Sequence, residues 1–424
     1  VTRRSLLLAP LAAEHRPNIV WIWADNLAWQ DLGIYGSARV RTPAIDALAR
    51  AGVRFRQYYI AHTVCSPSRA ALLTGRQPFR TGIVDVLRPD SPSGLPEDEI
   101  TLGAALRKLS YATHAIGKWH LGDRRQYLPT RRGFDGYFGM PYSMDMAPSH
   151  LYRDEEIIDD LAGERAADVT LRYVDEAIRF VSARRTRPFF LYFSHTIPHP
   201  PLTLPAAART PGRAIYEDAI EHMDRETARL LEALPENTLV FFSSDNGPMD
   251  RAGQTGGLRG RIRDAYEGGV RVPLIARWPG RIPAGRVVET PVIAYDIFPT
   301  LLAFAGGALP SDRVYDGQDI GPLLTGRGTV ERKQPFFWVY LDRVTAIRDG
   351  RWKLHVAHRE AVLPQPELYD LEDDPQESRP LDKPDVIRTL KAKIDQLQAE
   401  VPKVWRLDYP VRDPRKLPSG VRRK

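Results

Sequence analysis

Three short runs in the chain are almost wholly apolar and rich in aromatic and branched side chains: NIVWIWA (18–24), PFFLYFS (188–194) and TLVFFSS (238–244). Each is bounded by polar or proline-containing segments, and at this length such runs predict buried β-strands. Between them the spacing becomes helical. Within 166–185, Val169, Val174, Ala177, Ile178 and Val181 recur on one face, and within 214–234 so do Ile215, Ala219, Ile220, Met223, Leu230 and Leu231. Both segments predict amphipathic helices laid on a sheet. Strands alternating with helices imply an α/β fold with a large, mostly parallel mixed sheet flanked by helices.

From about residue 326 the texture changes. The stretches PFFWVYLD (335–342), VTAIRDGRWKLHVA (344–357) and PELYDLEDD (366–374) predict short strands joined by turns, with Asp349-Gly350 as a hairpin signal. VIRTLKAKIDQLQAEV (386–401) predicts a helix after them. The pattern thus divides the chain into a large unit over 16–325 and a smaller C-terminal α+β unit over 326–424, which ends in the basic tail RDPRKLPSGVRRK. No internal repeat is visible.

Composition adds limits. A chain of 424 residues with 43% hydrophobic positions can bury a large core. No run approaches the roughly 18 apolar residues of a membrane helix, so no membrane span is expected. The net charge of +7 comes mostly from Arg scattered along the chain without a nucleic-acid motif, which implies a solvated surface and no nucleic-acid partner. The opening VTRRSLLLAPLAAEHRPN sets Arg3-Arg4 before a short apolar stretch and resembles the remnant of a twin-arginine export signal over 1–15. An exported protein, periplasmic or extracellular, is the expectation, with a cytoplasmic location as the alternative.

The single cysteine, Cys65, excludes an internal disulfide and a cysteine-rich zinc site. Its surroundings are distinctive. Ser66 and Pro67 read as the N-cap and first residue of a helix that Gly75 stops, which puts Cys65 at a helix N-terminus suited to an anionic ligand. The three apolar strands end in Asp25-Asn26, in His195 with His199, and in Asp245-Asn246, and in open α/β sheets ligands gather beyond such ends. Two Asp and two Asn supply only oxygen donors, which predicts Ca²⁺, with Mg²⁺ the alternative, over zinc. In GKWHLG (117–122), strand-like alternation places Lys118 and His120 on one face, where they could hold an oxyanion and move protons.

Taken in order, PNIVWIWADN (17–26), CSPSRAALLTGR (65–76), GKWHLG, PHPP (198–201), SSDNGP (243–248) and YEGGVRVPLI (266–275) resemble the formylglycine-dependent sulfatases of the alkaline phosphatase superfamily. GMPYSMD (139–145) is similar to the arylsulfatase and N-acetylgalactosamine-6-sulfatase branch, and LYDLEDDPQE (368–377) resembles that family's late signature. The likeness runs from about residue 16 to about residue 380.

The resemblance implies a hydrolase of sulfuric esters that acts on an aryl sulfate or a sulfated small molecule or glycan, including sulfated polysaccharide. It implies that a formylglycine-generating enzyme converts Cys65 to formylglycine (3-oxoalanine), reading Pro67 and Arg69. One hydroxyl of the hydrated aldehyde would attack sulfur, and the other would expel sulfate. Carried over by position, Asp25, Asn26, Asp245 and Asn246 would bind the metal and Arg69 would steady the formylglycine. His120 would assist elimination, Lys118 and Ser143 would hold sulfate, and His199 would protonate the leaving oxygen. His195 would be a further contact. Two positions depart from the family pattern. Asn26 stands where a second Asp is usual, and Ile262 stands where relatives carry a sulfate-binding Lys, so Arg261 or Arg263 would have to supply that charge. A phosphodiester or phosphonate hydrolase of the same superfamily, and a sulfated-glycan-binding protein with weakened catalysis, are the competing readings.

Overall fold

The computed structural model describes residues 16–250 and 252–402. The export signal expected over 1–15 and the basic tail lie outside the described residues. No described helix is long and apolar enough to cross a membrane.

Eleven strands build the main sheet: β1 (Asn18–Ala24), β2 (Val53–Tyr59), β3 (Ala112–Lys118), β4 (Gly136–Met140), β5 (His150–Arg153), β6 (Glu156–Asp160), β7 (Phe189–Ser194), β8 (Thr238–Ser244), β9 (Arg271–Arg277), β10 (Arg286–Val288) and β11 (Val292–Ile293). Their order is β10-β2-β9-β8-β1-β7-β3-β4-β5-β6, with β11 also on β2. The middle run β8-β1-β7-β3-β4 is parallel throughout, and antiparallel partners flank it. Strands covered on both faces need apolar side chains at every position. That is why β1, β7 and β8 read as unbroken hydrophobic runs, and they are buried almost end to end.

The helices are α1 (Pro43–Arg50), α2 (Cys65–Thr74), α3 (Pro78–Thr81), α4 (Leu102–Lys108), α5 (Val169–Ser182), α6 (Ile215–Glu232), α7 (Glu267–Val270), α8 (Ile297–Phe304), α9 (Gly321–Thr325) and α10 (Pro384–Gln398). Alternation along β1 sorts the core into two layers. Ile19, Trp21 and Trp23 pack with residues of α2, α4 and α8, whereas Val20 and Ile22 pack with α1, α5 and α6.

Helix α2 corrects the expected capping. It starts at Cys65 itself, with Val64 as the extended residue before it and Gly75 in the left-handed conformation at its end. Ser66 is therefore inside the first turn. Its hydroxyl accepts from the Leu87 backbone N–H at 3.1 Å, so a distant loop takes the group that a local cap would have used. Pro67 still falls among the first helical residues, where its missing N–H leaves no broken bond.

A second, antiparallel sheet joins β12 (Phe336–Tyr340), β13 (Arg343–Asp349), β14 (Trp352–His358) and β15 (Ala361–Asp370), with α10 packed on it. Asp349 pairs with Trp352 across the expected hairpin, and Gly350 takes the positive φ the turn requires. A buried ionic cluster anchors this sheet to the main one. Glu267 of α7 accepts from Lys353 Nζ at 2.9 Å and from the Tyr59 hydroxyl at 2.6 Å. Glu377 accepts from Lys353 at 3.2 Å, pairs with His355 at 2.7 Å, and takes the Glu267 backbone N–H at 2.6 Å.

Candidate active site

Because β1, β3, β7 and β8 run parallel, their carboxyl ends lie along one edge, and the polar clusters that follow them converge there. Asp25 and Asn26 leave β1, Lys118 closes β3, Ser194 closes β7, and Asp245 and Asn246 leave β8. Helix α2 brings its first residue to this edge. Cys65 Sγ lies 3.9 Å from both Asp25 Oδ1 and Asn26 Oδ1, and donor atoms of Asp25, Cys65 and Asp245 fall within 4.8 Å of one another.

Arg69, one turn along α2, organises the floor. Its guanidinium donates to Asp245 Oδ2 at 2.7 and 3.1 Å, to the Lys118 carbonyl at 2.9 Å and to Ser194 Oγ at 2.5 Å. Lys118 Nζ donates to Asp25 Oδ2 at 2.7 Å and to Ser143 Oγ at 3.2 Å. These charges are fully buried. Burial, with the neighbouring Asp245, pushes the Asp25 carboxyl up against the pull of Lys118; at Asp245, Arg69 and Lys118 outweigh burial and hold it down. Burial also raises the Cys65 thiol well above its ordinary range, so an unmodified thiol here stays protonated.

Lys118 and His120 meet the same site, but strand alternation is not the reason. The strand ends at Lys118, and His120 takes a left-handed φ of 62° while its N–H donates to the Pro141 carbonyl. Its Nε2 faces the Leu87 carbonyl at 3.1 Å, and its Nδ1 is buried without a partner. Burial, together with Lys118 and Arg69, holds it well below the ordinary histidine range, so it is neutral, with Nδ1 as the ring's unpaired acceptor. His199 lies within electrostatic reach of Asp25 and His120, with Nδ1 2.5 Å from the Pro200 carbonyl.

The four proposed metal ligands form a matched oxygen set. Asn26 Nδ2 and Asn246 Nδ2 both donate to the Gly247 carbonyl, at 3.0 and 3.1 Å. Fixing each amide by its nitrogen leaves its oxygen for another partner. Asn246 Oδ1 has no hydrogen bond among the described residues, and Asn26 Oδ1 faces Cys65. Two carboxylates and two amide oxygens suit a hard divalent cation.

The remaining candidates make no side-chain hydrogen bond to this cluster among the described residues. His195 is buried edge-on against Phe193 and near His222, and neither ring nitrogen has a partner. Arg261 donates to the carbonyls of Met249 and Ala252. Arg263 turns to a narrow cleft lined by residues of β12 and β14, and Ile262 is half-buried with its N–H on the Pro248 carbonyl. Sequence reasoning missed Ser194, whose only signal is its position at the end of an apolar run. It also missed Leu87, whose carbonyl and N–H hold His120 and Ser66.

Known proteins resemble the chain along most of its length. Residues 17–308 match the family model described as Sulfatase, and residues 261–401 match the model of the N-sulphoglucosamine sulphohydrolase C-terminal region. The chain is 38% identical to N-acetylgalactosamine-6-sulfatase of Canis lupus familiaris over 82% of its length and 73% of the relative's. It is 37% identical to human (Homo sapiens) arylsulfatase A over 88% of its length and 86% of the relative's. Among solved structures, Ps i-CgsB in complex with k-i-k-neocarrahexaose superposes with a TM-score of 0.83 at 28% identity, covering 93% of this chain and 97% of that one.

Proposed function

The chain belongs to the sulfatase family within the alkaline phosphatase superfamily and is a sulfatase, and we propose that it removes sulfate from sulfated carbohydrates with Cys65 as the source of its nucleophile. The observation that carries this reading is the position of Cys65 at the head of α2, facing Asp25 and Asn26, with Arg69 one turn on bound to Asp245. Converted to formylglycine and hydrated, Cys65 would offer two hydroxyls on one carbon, one to accept the sulfo group and the other to expel it as sulfate.

Asp25, Asn26, Asp245 and Asn246 would hold a divalent cation, Ca²⁺ by their donor chemistry, which supplies positive charge for sulfate oxygens and the reacting hydroxyl. Lys118 and Ser143 hold a sulfate oxygen from the β3 side. Neutral His120 accepts the proton given up as sulfate leaves. His199, on the rim, protonates the departing alcohol oxygen. The Arg3-Arg4 leader supports an exported enzyme.

The test is peptide mass spectrometry over residues 57–69 of protein expressed with a formylglycine-generating enzyme, beside sulfate release from an aryl sulfate and a sulfated disaccharide with and without Ca²⁺. The reading expects the aldehyde mass and cation-dependent release. Aldehyde with faster cleavage of an aryl phosphodiester would assign the phosphodiesterase reading. A binding role would be left by aldehyde without turnover on either ester.

A further inference from the structure

Between α3 and α4 the segment 83–95 forms neither helix nor strand, yet Ile83, Leu87 and Leu95 are at most 1% exposed. It lies along the stretch that follows β3. The Leu95 N–H donates to the Leu121 carbonyl at 2.9 Å, and the Asp90 N–H donates to Asp123 Oδ2 at 3.1 Å. Leu87 is the point where this strap meets the reacting centre, because both of its backbone groups bind side chains there. Its N–H donates to Ser66 Oγ at 3.1 Å, and its carbonyl faces His120 Nε2 at 3.1 Å. Ser66 follows Cys65 in the first turn of α2 and is fully buried.

The contact with His120 fixes more than the place of the ring. A neutral imidazole carries one N–H, and a carbonyl oxygen can only accept, so the proton sits on Nε2 and the lone pair on Nδ1. Burial, Lys118 and Arg69 keep this ring neutral, and Nδ1 is buried without a partner. The residue is steadied elsewhere by its own N–H, which donates to the Pro141 carbonyl at 2.8 Å, and by Tyr142, whose ring meets the imidazole edge-on at 6.0 Å. Neither of these contacts distinguishes one ring nitrogen from the other. Among the described residues only the Leu87 carbonyl does so, and the bond to Ser66 Oγ holds the other end of Leu87 in place.

We propose that Ser66 is a positioning residue that acts through Leu87 to hold His120 in the Nε2–H tautomer, with Nδ1 left to take the proton given up as sulfate leaves. It rests on the reading of His120 as the base of that step. In the step, the O–H bond of the second hydroxyl breaks and its proton passes to Nδ1, while the aldehyde C=O re-forms. The C–O bond to sulfate breaks, and its electron pair leaves with sulfate. The earlier attack on sulfur does not use this transfer. A misplaced Nδ1 therefore slows the second step and spares the first.

The experiment compares the full chain with Ser66→Ala and Ser66→Thr, each matured with a formylglycine-generating enzyme and checked for the aldehyde by mass. Both variants keep Cys65, Pro67 and Arg69. Ring nitrogens of ¹⁵N-histidine-labelled protein are read by two-bond ¹H–¹⁵N correlation, and His120→Gln assigns the signals. The parent is expected to show His120 as the Nε2–H tautomer alone and Ser66→Ala to show a mixture, while Ser66→Thr, which keeps the acceptor, restores the parental form. With an aryl sulfate, Ser66→Ala should lower kcat about tenfold and KM with it, leave kcat/KM within about twofold of the parent, and give a burst of the phenol. An Nδ1–H tautomer in the parent, a tautomer unmoved by Ser66→Ala, or equal losses in kcat and kcat/KM would overturn the proposal. A tautomer that follows Ser66 in protein that carries the aldehyde and releases no sulfate would keep the coupling of Ser66 to His120 and overturn the catalytic reading instead.

Discussion

The charges behind Cys65 and the charges beneath the small sheet are equally sealed from solvent: Asp25, Asp245, Arg69 and Lys118 in the first set, Glu267, Glu377, Lys353 and His355 in the second, all 0% exposed. In the second set every carboxylate oxygen has a donor. Glu267 is shared by Lys353 and Tyr59, and Glu377 by Lys353, His355 and a backbone N–H. Burial opposes ionisation of Glu267, yet Lys353, Arg348 and Arg271 together keep it below the usual carboxylate range. In the first set the charges are also paired, but the surround is left more open: Asn246 Oδ1, His120 Nδ1 and Thr63 Oγ1 lack partners, against His355 Nδ1 alone in the second set. A buried polar atom without a partner costs stability. The closed cluster is architecture, and the open one is poised for a ligand.

Substitutions can break this contrast. Cys65→Ala should lower sulfate release about 10³-fold or more, while costing only about 1 kcal/mol in denaturant unfolding, because the thiol has no strong bond to lose. A large loss of stability would show the open cluster to be structural too. Lys353→Met should do the reverse. Leaving Glu267 and Glu377 unpaired is expected to cost about 3–5 kcal/mol, with kcat of the folded protein within about threefold of the parent.

Proton titration sharpens it further. Burial holds His62 and His195 down to about 3. The unfolded chain protonates them near pH 6.5, so it binds more protons than the folded form between these values. Each contributes stability that is full above about pH 6.5 and lost as pH falls toward 3, at about 1.4 kcal/mol per pH unit. His62→Asn and His195→Asn should flatten the unfolding profile over that window. The smallest effect is expected from Ser194→Ala, which removes one acceptor from Arg69: about 1–2 kcal/mol of stability and a severalfold drop in turnover.

The middle of the sheet was legible because β1, β7 and β8 are covered on both faces and must be apolar throughout. The helices over 169–182 and 215–232 were legible because each buries a single stripe. The start of α2 was not, since the group that takes up Ser66 comes from Leu87, outside any local window. Nor was the geometry of GKWHLG, where His120 leaves the strand through a positive φ that no alternation rule anticipates. The motif residues at the strand ends were found because each follows its strand at once. Ser194, Lys353 and Glu377 carry no such flag, for their partners lie 125, 86 and 110 positions away in the chain.

Arg69 reaches the ends of β3, β7 and β8 through its hydrogen bonds and lies over the Trp23 ring of β1 at 5.3 Å. One side chain therefore ties a helix to four strands drawn from stretches of chain between residues 18 and 245. Helix α2 cannot lift away while the sheet stays whole, because doing so would strand a guanidinium and a carboxylate in the interior. The amides of residues 68–74 should then exchange with deuterium only through global unfolding, as slowly as those of β1, with no cheaper local opening to expose them to exchange or proteolysis.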